Sequence, residues 1–193
     1  MISVWSSTDV PQGKRHRAML ELIYGGAASG KSEYAEARAI RRGGKLYYLA
    51  TMQRGSGSGD ERIERHIKRR EGTAFITIER DRDIASVSEQ IRGGTVLLEC
   101  LTNLAANELF SGKEKCPAED VCQRIMSGID AINESADTLI IVSGNVTQDG
   151  VIYEEQTMEY IRLLAMLNRK TADRADAVYE VVCGCPKRLA GKV

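Results

Sequence analysis

The sequence predicts a mostly parallel α/β sheet flanked by helices, in a single domain. Three observations predict it. Short apolar runs of strand length alternate with amphipathic stretches of helical length. A glycine-rich turn, "YGGAASGKS" at 24–32, lies between the first such run and the first such helix. The 193 residues, 42% of them hydrophobic, suffice for one core of ordinary size.

Residues 1–18 are polar and aperiodic, and include Pro11, Gly13 and the cluster Lys14, Arg15, His16, Arg17. They are expected to form a flexible extension ahead of a folded domain at 19–193. "MLELIYG" (19–25) is the first strand. "SEYAEARAIRRGG" (32–44) reads as a helix with basic residues near its end and two glycines to stop it. "KLYYLAT" (45–51) is the second strand and "RGSGSG" (54–59) a loop. "DERIERHIKRREG" (60–72) is expected to be helical, with Asp60 as N-cap and Gly72 as stop. "AFITIE" (74–79) is a strand, "DIASVSEQIRGG" (83–94) an expected helix, and "TVLLEC" (95–100) a buried strand. Helices are expected at 103–110 and 119–135, separated by Cys116-Pro117. "TLIIVSG" (138–144) is the most apolar strand. The stretch 154–175 predicts a long helix with Met158, Ile161, Leu164, Ala165 and Leu167 or Asn168 near one face. "AVYEVVCG" (177–184) closes the pattern.

Composition narrows the function classes. Lys+Arg and Asp+Glu each number 27, so the formal charge is zero. That argues against a protein that coats nucleic acid. No apolar run approaches the roughly 20 residues that span a bilayer, and the N-terminus does not read as a signal peptide. Cys100, Cys116, Cys122, Cys183 and Cys185 match no paired zinc spacing. They are expected to be buried or half-buried thiols in a reducing, cytoplasmic compartment.

The glycine-rich turn carries the first chemistry. Gly25, Gly30, Lys31 and Ser32 satisfy G-x-x-x-x-G-K-[ST], with Gly26, Ala27, Ala28 and Ser29 between. Glycines let the backbone curl so that its N–H groups face phosphate oxygens, and the next helix aims its positive end at the same place. Lys31 can reach the β and γ phosphates, and the Ser32 hydroxyl can bind Mg²⁺. The expected fold is therefore P-loop NTPase-like, with a nucleoside triphosphate as ligand. In parallel sheets ligands gather at the carboxyl ends of strands. Glu99 ends "TVLLE" there and is the first candidate for organising Mg²⁺; Glu79 ends "AFITIE" and is the second. Each also reads as a solvated strand-end carboxylate.

Residues four apart share a helix face, so Arg62, His66 and Arg70 stack beside an Ile63/Ile67 stripe. Three readings stand. One is a solvated basic face, another a nucleic-acid contact without the usual interleaved aromatics. The third is nucleophilic catalysis on a phosphate: flanking guanidinium groups favour a neutral imidazole and can grip the phosphate attacked.

The whole pattern resembles the bifunctional adenosylcobinamide kinase/adenosylcobinamide-phosphate guanylyltransferases of cobalamin biosynthesis, over residues 19–191. The blocks that carry it are "GGAASGKSEYAE", "LYYLAT", "RIERHIKRREG", "TIE", "VLLECLTNLAANELF", "LIIVSG" and "YIRLLAMLNRKTADRADAVYEVVCGCPKRLAG". The most specific is R-I-x-x-H-x-x-x-R with a downstream T-x-E: Arg62, Ile63, His66, Arg70, Thr77 and Glu79. The resemblance implies two reactions. A nucleoside triphosphate, GTP with ATP as the alternative, phosphorylates the aminopropanol hydroxyl of adenosylcobinamide. GMP then passes from GTP through an enzyme histidine to adenosylcobinamide phosphate. By this resemblance His66 is the nucleophile, and Gly25 to Ser32, Thr51, Arg62, Arg70, Glu79 and Glu99 line the nucleotide. It also implies Mg²⁺, a corrinoid substrate and a homotrimer. The chain departs from the family pattern at "RGSGSG" and at "VSGNV", where many relatives read V-[ST]-N-E-V. Two other functions compete: a P-loop kinase of another small hydroxyl compound, with His66 structural, and a non-enzymatic nucleotide-dependent regulatory module.

Overall fold

The computed structural model describes residues 18–53, 72–111, 116–146 and 153–191. Seven strands form one sheet: β1 (Met19–Gly25), β2 (Leu46–Ala50), β3 (Phe75–Glu79), β4 (Thr95–Glu99), β5 (Thr138–Gly144), β6 (Ala177–Val182) and β7 (Cys185–Gly191). Their order is β3-β2-β4-β5-β1-β6-β7. Every neighbouring pair is parallel except the hairpin β6–β7. Among the described residues four α-helices lie between them: α1 (Lys31–Arg42), α2 (Leu101–Phe110), α3 (Ala118–Ser135) and α4 (Glu155–Arg174).

The period-two alternation of the central strands sorts their side chains between two cores. Leu20, Leu22, Val96, Leu98, Leu139 and Ile141 face the larger core, which they share with α2, α3 and α4. Ile23, Leu97, Ile140 and Val142 face Ala35 and Ala39 of α1 on the other side. Glu21 also faces α1 and is fully buried. Its carboxylate is paired with Arg38 and Arg42. Arg38 also donates from Nη2 to the Tyr179 hydroxyl at 2.8 Å and stacks 4.4 Å from that ring's centre. A charged clamp therefore fixes α1 against β1 and β6.

Three expectations change. The stretch 83–94 forms a 3-10 helix at Ile84–Gln90. Ile84 and Val87 are its buried side chains, and a spacing of three suits three residues per turn. Ser86 and Ser88 bond backward to the carbonyls of Asp83 and Ala85, as these side chains do when they compete with helical hydrogen bonding. On α4 the buried face is Leu163, Leu164, Leu167 and Thr171, while Met158 is 47% exposed and Ala165 is exposed. Leu164 and Leu167 lie on this face as expected, and Leu163 and Thr171 complete the helical repeat in place of Met158 and Ala165. Finally, β7 was not expected: "CPKRLAG" has a proline, two cations and no alternation, all tolerated on an edge strand whose every residue is exposed. Of the expected extension 1–18 only Ala18 is described, and it is buried; the rest of it, the expected loop 54–59 and residues 60–71 of the expected helix 60–72 lie outside the described residues.

Candidate functional site

β1 ends at Gly25, level with Gly144 of β5. A Cβ on Gly25 would stand 2.6 Å from the Val181 carbonyl oxygen, so only glycine fits this start of the loop. Gly30, at φ +88°, caps α1 in the left-handed region, with its missing Cβ 3.1 Å from the Gly184 Cα. Between them Gly26, Ala27 and Ala28 are exposed and Ser29 is half-buried. The β6–β7 turn supports the loop from the side: the Gly184 N–H donates to the Ser29 carbonyl at 2.8 Å. Asn145 donates its N–H to the Gly25 carbonyl at 3.2 Å on the opposite flank.

Lys31 is buried and its Nζ donates to the Gly26 carbonyl at 2.9 Å, curled back over the loop it belongs to. The Ser32 hydroxyl donates to Glu99 Oε1 at 2.6 Å. The loop and the end of β4 therefore meet, although β5 lies between β4 and β1. Thr51 fixes that carboxylate's backbone. Its hydroxyl donates to the Cys100 carbonyl and accepts from the Cys100 N–H, both at 2.8 Å, and its own N–H donates to the Glu99 carbonyl at 3.0 Å. The Glu99–Cys100 peptide is cis.

Glu79 stands apart from this group. It pairs in register with Ala50, as does Glu99 on the other side of β2, so the two carboxylates are level. Two strand spacings separate them, roughly 10 Å, and four spacings, roughly 19 Å, separate β3 from β1. Glu79 is exposed at the carboxyl end of the edge strand. Arg62, His66 and Arg70 lie outside the described residues. The chain leaves the described part at Gln53, three residues beyond β2, and re-enters it at Gly72 before β3.

The sequence reading missed two supports. Asn107 of α2 donates to the carbonyls of Thr51 at 2.7 Å and Asp81 at 3.0 Å, joining the ends of β2 and β3. Its signal was an asparagine four past Asn103, in a helix whose remaining residues are mostly apolar. The second is Gly184. The "VSGNV" departure also has a packing reason: a Cβ at Gly144 would stand 3.0 Å from Thr102 Cγ2. Beside it Ser143 donates to Asn168 Oδ1 at 2.6 Å, and Tyr160 donates to the Thr102 carbonyl at 3.3 Å. Burial pushes the Tyr160 hydroxyl up to about 12, with Cys100 adding to the shift.

Together these residues form a backbone cradle for an oxyanion, with a cation and a hydroxyl–carboxylate pair at its rim. The arrangement suits binding and polarising a polyphosphate. The sequence profile of the cobinamide kinase / cobinamide phosphate guanyltransferase family matches residues 21–189. The chain is 33% identical to the bifunctional adenosylcobalamin biosynthesis protein CobP of Pseudomonas aeruginosa, over 90% of this chain and 99% of that protein. It is 31% identical to the bifunctional adenosylcobalamin biosynthesis protein CobU of Escherichia coli, over 86% and 97%. The Salmonella typhimurium protein of the same name is 29% identical over 86% and 97%. With a family profile spanning most of its length and relatives aligned nearly end to end, the chain belongs to the cobinamide kinase / cobinamide phosphate guanyltransferase family.

Proposed function

We propose that this chain phosphorylates the aminopropanol hydroxyl of adenosylcobinamide and then transfers GMP from GTP to the phosphate it has made, giving adenosylcobinamide-GDP. The observation that carries the nucleotide half is the Ser32–Glu99 contact at the mouth of the Gly25–Ser32 loop. In the first reaction the loop N–H groups and Lys31 hold the transferring phosphoryl group while the substrate hydroxyl attacks the γ-phosphorus of GTP or ATP. In the second, an imidazole nitrogen of His66 attacks the α-phosphorus of GTP and pyrophosphate leaves. A phosphate oxygen of the corrinoid then attacks the same phosphorus, the P–N bond breaks and the imidazole is regenerated. Arg62 and Arg70 neutralise phosphate charge, and Thr51, Glu79 and Glu99 line the nucleotide.

Ser32 and Glu99 would hold Mg²⁺. Both present hard oxygen donors, and one carboxylate plus one hydroxyl is the sparse protein set that Mg²⁺ takes beside substrate phosphates. Among the described residues no group of three or more His, Cys, Asp or Glu forms a metal cage, so the phosphates would supply the remaining ligands. When bound, Mg²⁺ supplies charge neutralisation on the β and γ phosphates.

The protein works as a homotrimer in the cytoplasm on this reading. The homotrimer rests on the family resemblance; Phe110 on α2 and Met158 on α4, 54% and 47% exposed, are apolar side chains that such an assembly would have room to cover. Among the described residues no helix is long and apolar enough to cross a membrane. Light scattering on the purified chain reads the assembly state.

The deciding experiment uses GTP labelled at the α-phosphate. An acid-labile, base-stable label on the protein is expected, and none on His66→Ala. Equal labelling of the variant sinks the covalent step. Transfer of γ-label to a small hydroxyl substrate without any α-label on protein leaves a plain kinase.

A further inference from the structure

The cysteines at the β6–β7 turn depart from the expectation of buried thiols. Cys100 and Cys122 are buried and Cys116 is half-buried, but Cys183 and Cys185 are both exposed. They flank Gly184 in a two-residue hairpin: Val182 pairs with Cys185, and Cys183 and Gly184 are the central residues at φ +49° and +78°. Two positive φ values in succession define the turn type that joins twisted strands most tightly. The same turn touches the phosphate loop. The Gly184 N–H is bonded to the Ser29 carbonyl at 2.8 Å, and the Gly184 Cα is the nearest atom to the bare face of Gly30.

We propose that Cys183-Gly184-Cys185 is a thiol–disulfide site whose oxidation loosens the phosphate loop, with a low-molecular-weight disulfide as reactant. Two Cα–Cα steps of about 3.8 Å, folded through a turn, bring Cys183 and Cys185 within the roughly 4.4–6.8 Å that a disulfide bridges. The thiolate of one cysteine attacks a sulfur of the small disulfide. That S–S bond breaks and one small thiolate leaves. The second cysteine, as thiolate, attacks the protein sulfur of the mixed disulfide and expels the other small thiolate. The two protein thiols lose two electrons, the small disulfide gains them, and the two protons end on the released thiols.

Closing so small a ring constrains the dihedrals of Cys183 and Gly184. The Gly184 N–H is then drawn from the Ser29 carbonyl, and the loop loses its lateral support. Reduced, the turn holds the loop; oxidised, it does not. The loss of one hydrogen bond corresponds to nucleotide binding weaker by about threefold to tenfold. The proposal rests on the loop as the nucleotide site and goes beyond the two transfer reactions.

The test equilibrates the full-length protein in stepped ratios of oxidised to reduced glutathione. Free thiols are alkylated and the peptide carrying Cys183 and Cys185 is weighed, while the dissociation constant for GTP is measured on the same samples. A peptide lighter by two hydrogens is expected, together with the weaker GTP binding and its recovery on adding a dithiol. The double variant Cys183→Ser/Cys185→Ser, with no thiol left on the turn to form a mixed disulfide, should bind GTP as the reduced protein does at every ratio, which shows that it folds. The proposal is overturned if both thiols stay alkylatable throughout, or if the disulfide forms and GTP binding does not change. If the reduced protein binds no GTP, the nucleotide reading of the loop fails and the coupling with it, whereas the peptide masses report the disulfide independently.

Discussion

Lys31 is curled onto the Gly26 carbonyl of its own loop, and Ser32 is bonded to Glu99. Both side chains hold the polar partners they would exchange for phosphate and metal. Lys31→Ala should lower phosphoryl transfer by about a hundredfold, because a preorganised cation at the transferring group is lost; the check is kcat with adenosylcobinamide at saturating GTP. Glu99→Gln keeps the acceptor for Ser32 but removes the charge. It should raise the Mg²⁺ concentration needed for half-maximal activity, read from a magnesium titration. Tyr160 gives a pH prediction. Its folded pKa of about 12 lies above the ordinary value of 10.0, so the folded state keeps a proton that the unfolded chain would release. This contribution is complete below about pH 10 and is lost as the pH rises through about 12. Urea midpoints should fall more steeply above pH 10 in the parent than in Tyr160→Phe.

The elements were legible to different degrees, and the reasons are physical. β1, β4 and β5 are buried on both faces and read as continuous apolar runs. β7 has no buried face, so no pattern could announce it. The stretch 83–94 carries helix-like apolar spacing, but its serines bond to nearby carbonyls and its length is one short 3-10 segment. That segment lies close on α3: a Cβ at Gly128 would stand 2.6 Å from Ile84 Cγ1. Gly128→Ala should therefore destabilise by about 1–3 kcal/mol through overpacking, despite the better helix propensity of alanine. The Glu21 clamp on α1 was also invisible, since a glutamate inside an apolar strand gives no hint of its partners. Hydrogen bonding to Glu21 raises the Arg38 pKa. Glu21→Gln strands two guanidinium groups with reduced compensation and should cost about 2–4 kcal/mol, less than for a fully buried pair because Arg38 and Arg42 are partly solvated. Urea unfolding of the two variants checks both values.

At the scale of the whole molecule the strand order spaces the candidate residues along the carboxyl ends of the parallel strands. The loop lies at the end of β1, Glu99 beside it, and Glu79 at the far strand. The sequence could place every one of these residues at a strand end but could not order the strands, because order is set by pairing between segments distant in the chain. Glu99 therefore ranked only ahead of Glu79 as a candidate, and the strand order is what places Glu79 on a strand roughly 19 Å from the loop's. That separation predicts a separable defect. Glu79→Ala should impair GMP transfer while leaving γ-phosphoryl transfer from ATP within about twofold, as judged by assaying the two products separately. The hydrogen bond from Gly184 to Ser29 has one more use. It makes a single backbone amide, on an exposed turn where exchange with solvent would otherwise be fast, a natural reporter of the loop opposite it. Deuterium uptake at Gly184 should slow when nucleotide seats the loop and quicken when the loop is disturbed, giving an isotope clock for occupancy that needs no label and no substrate turnover.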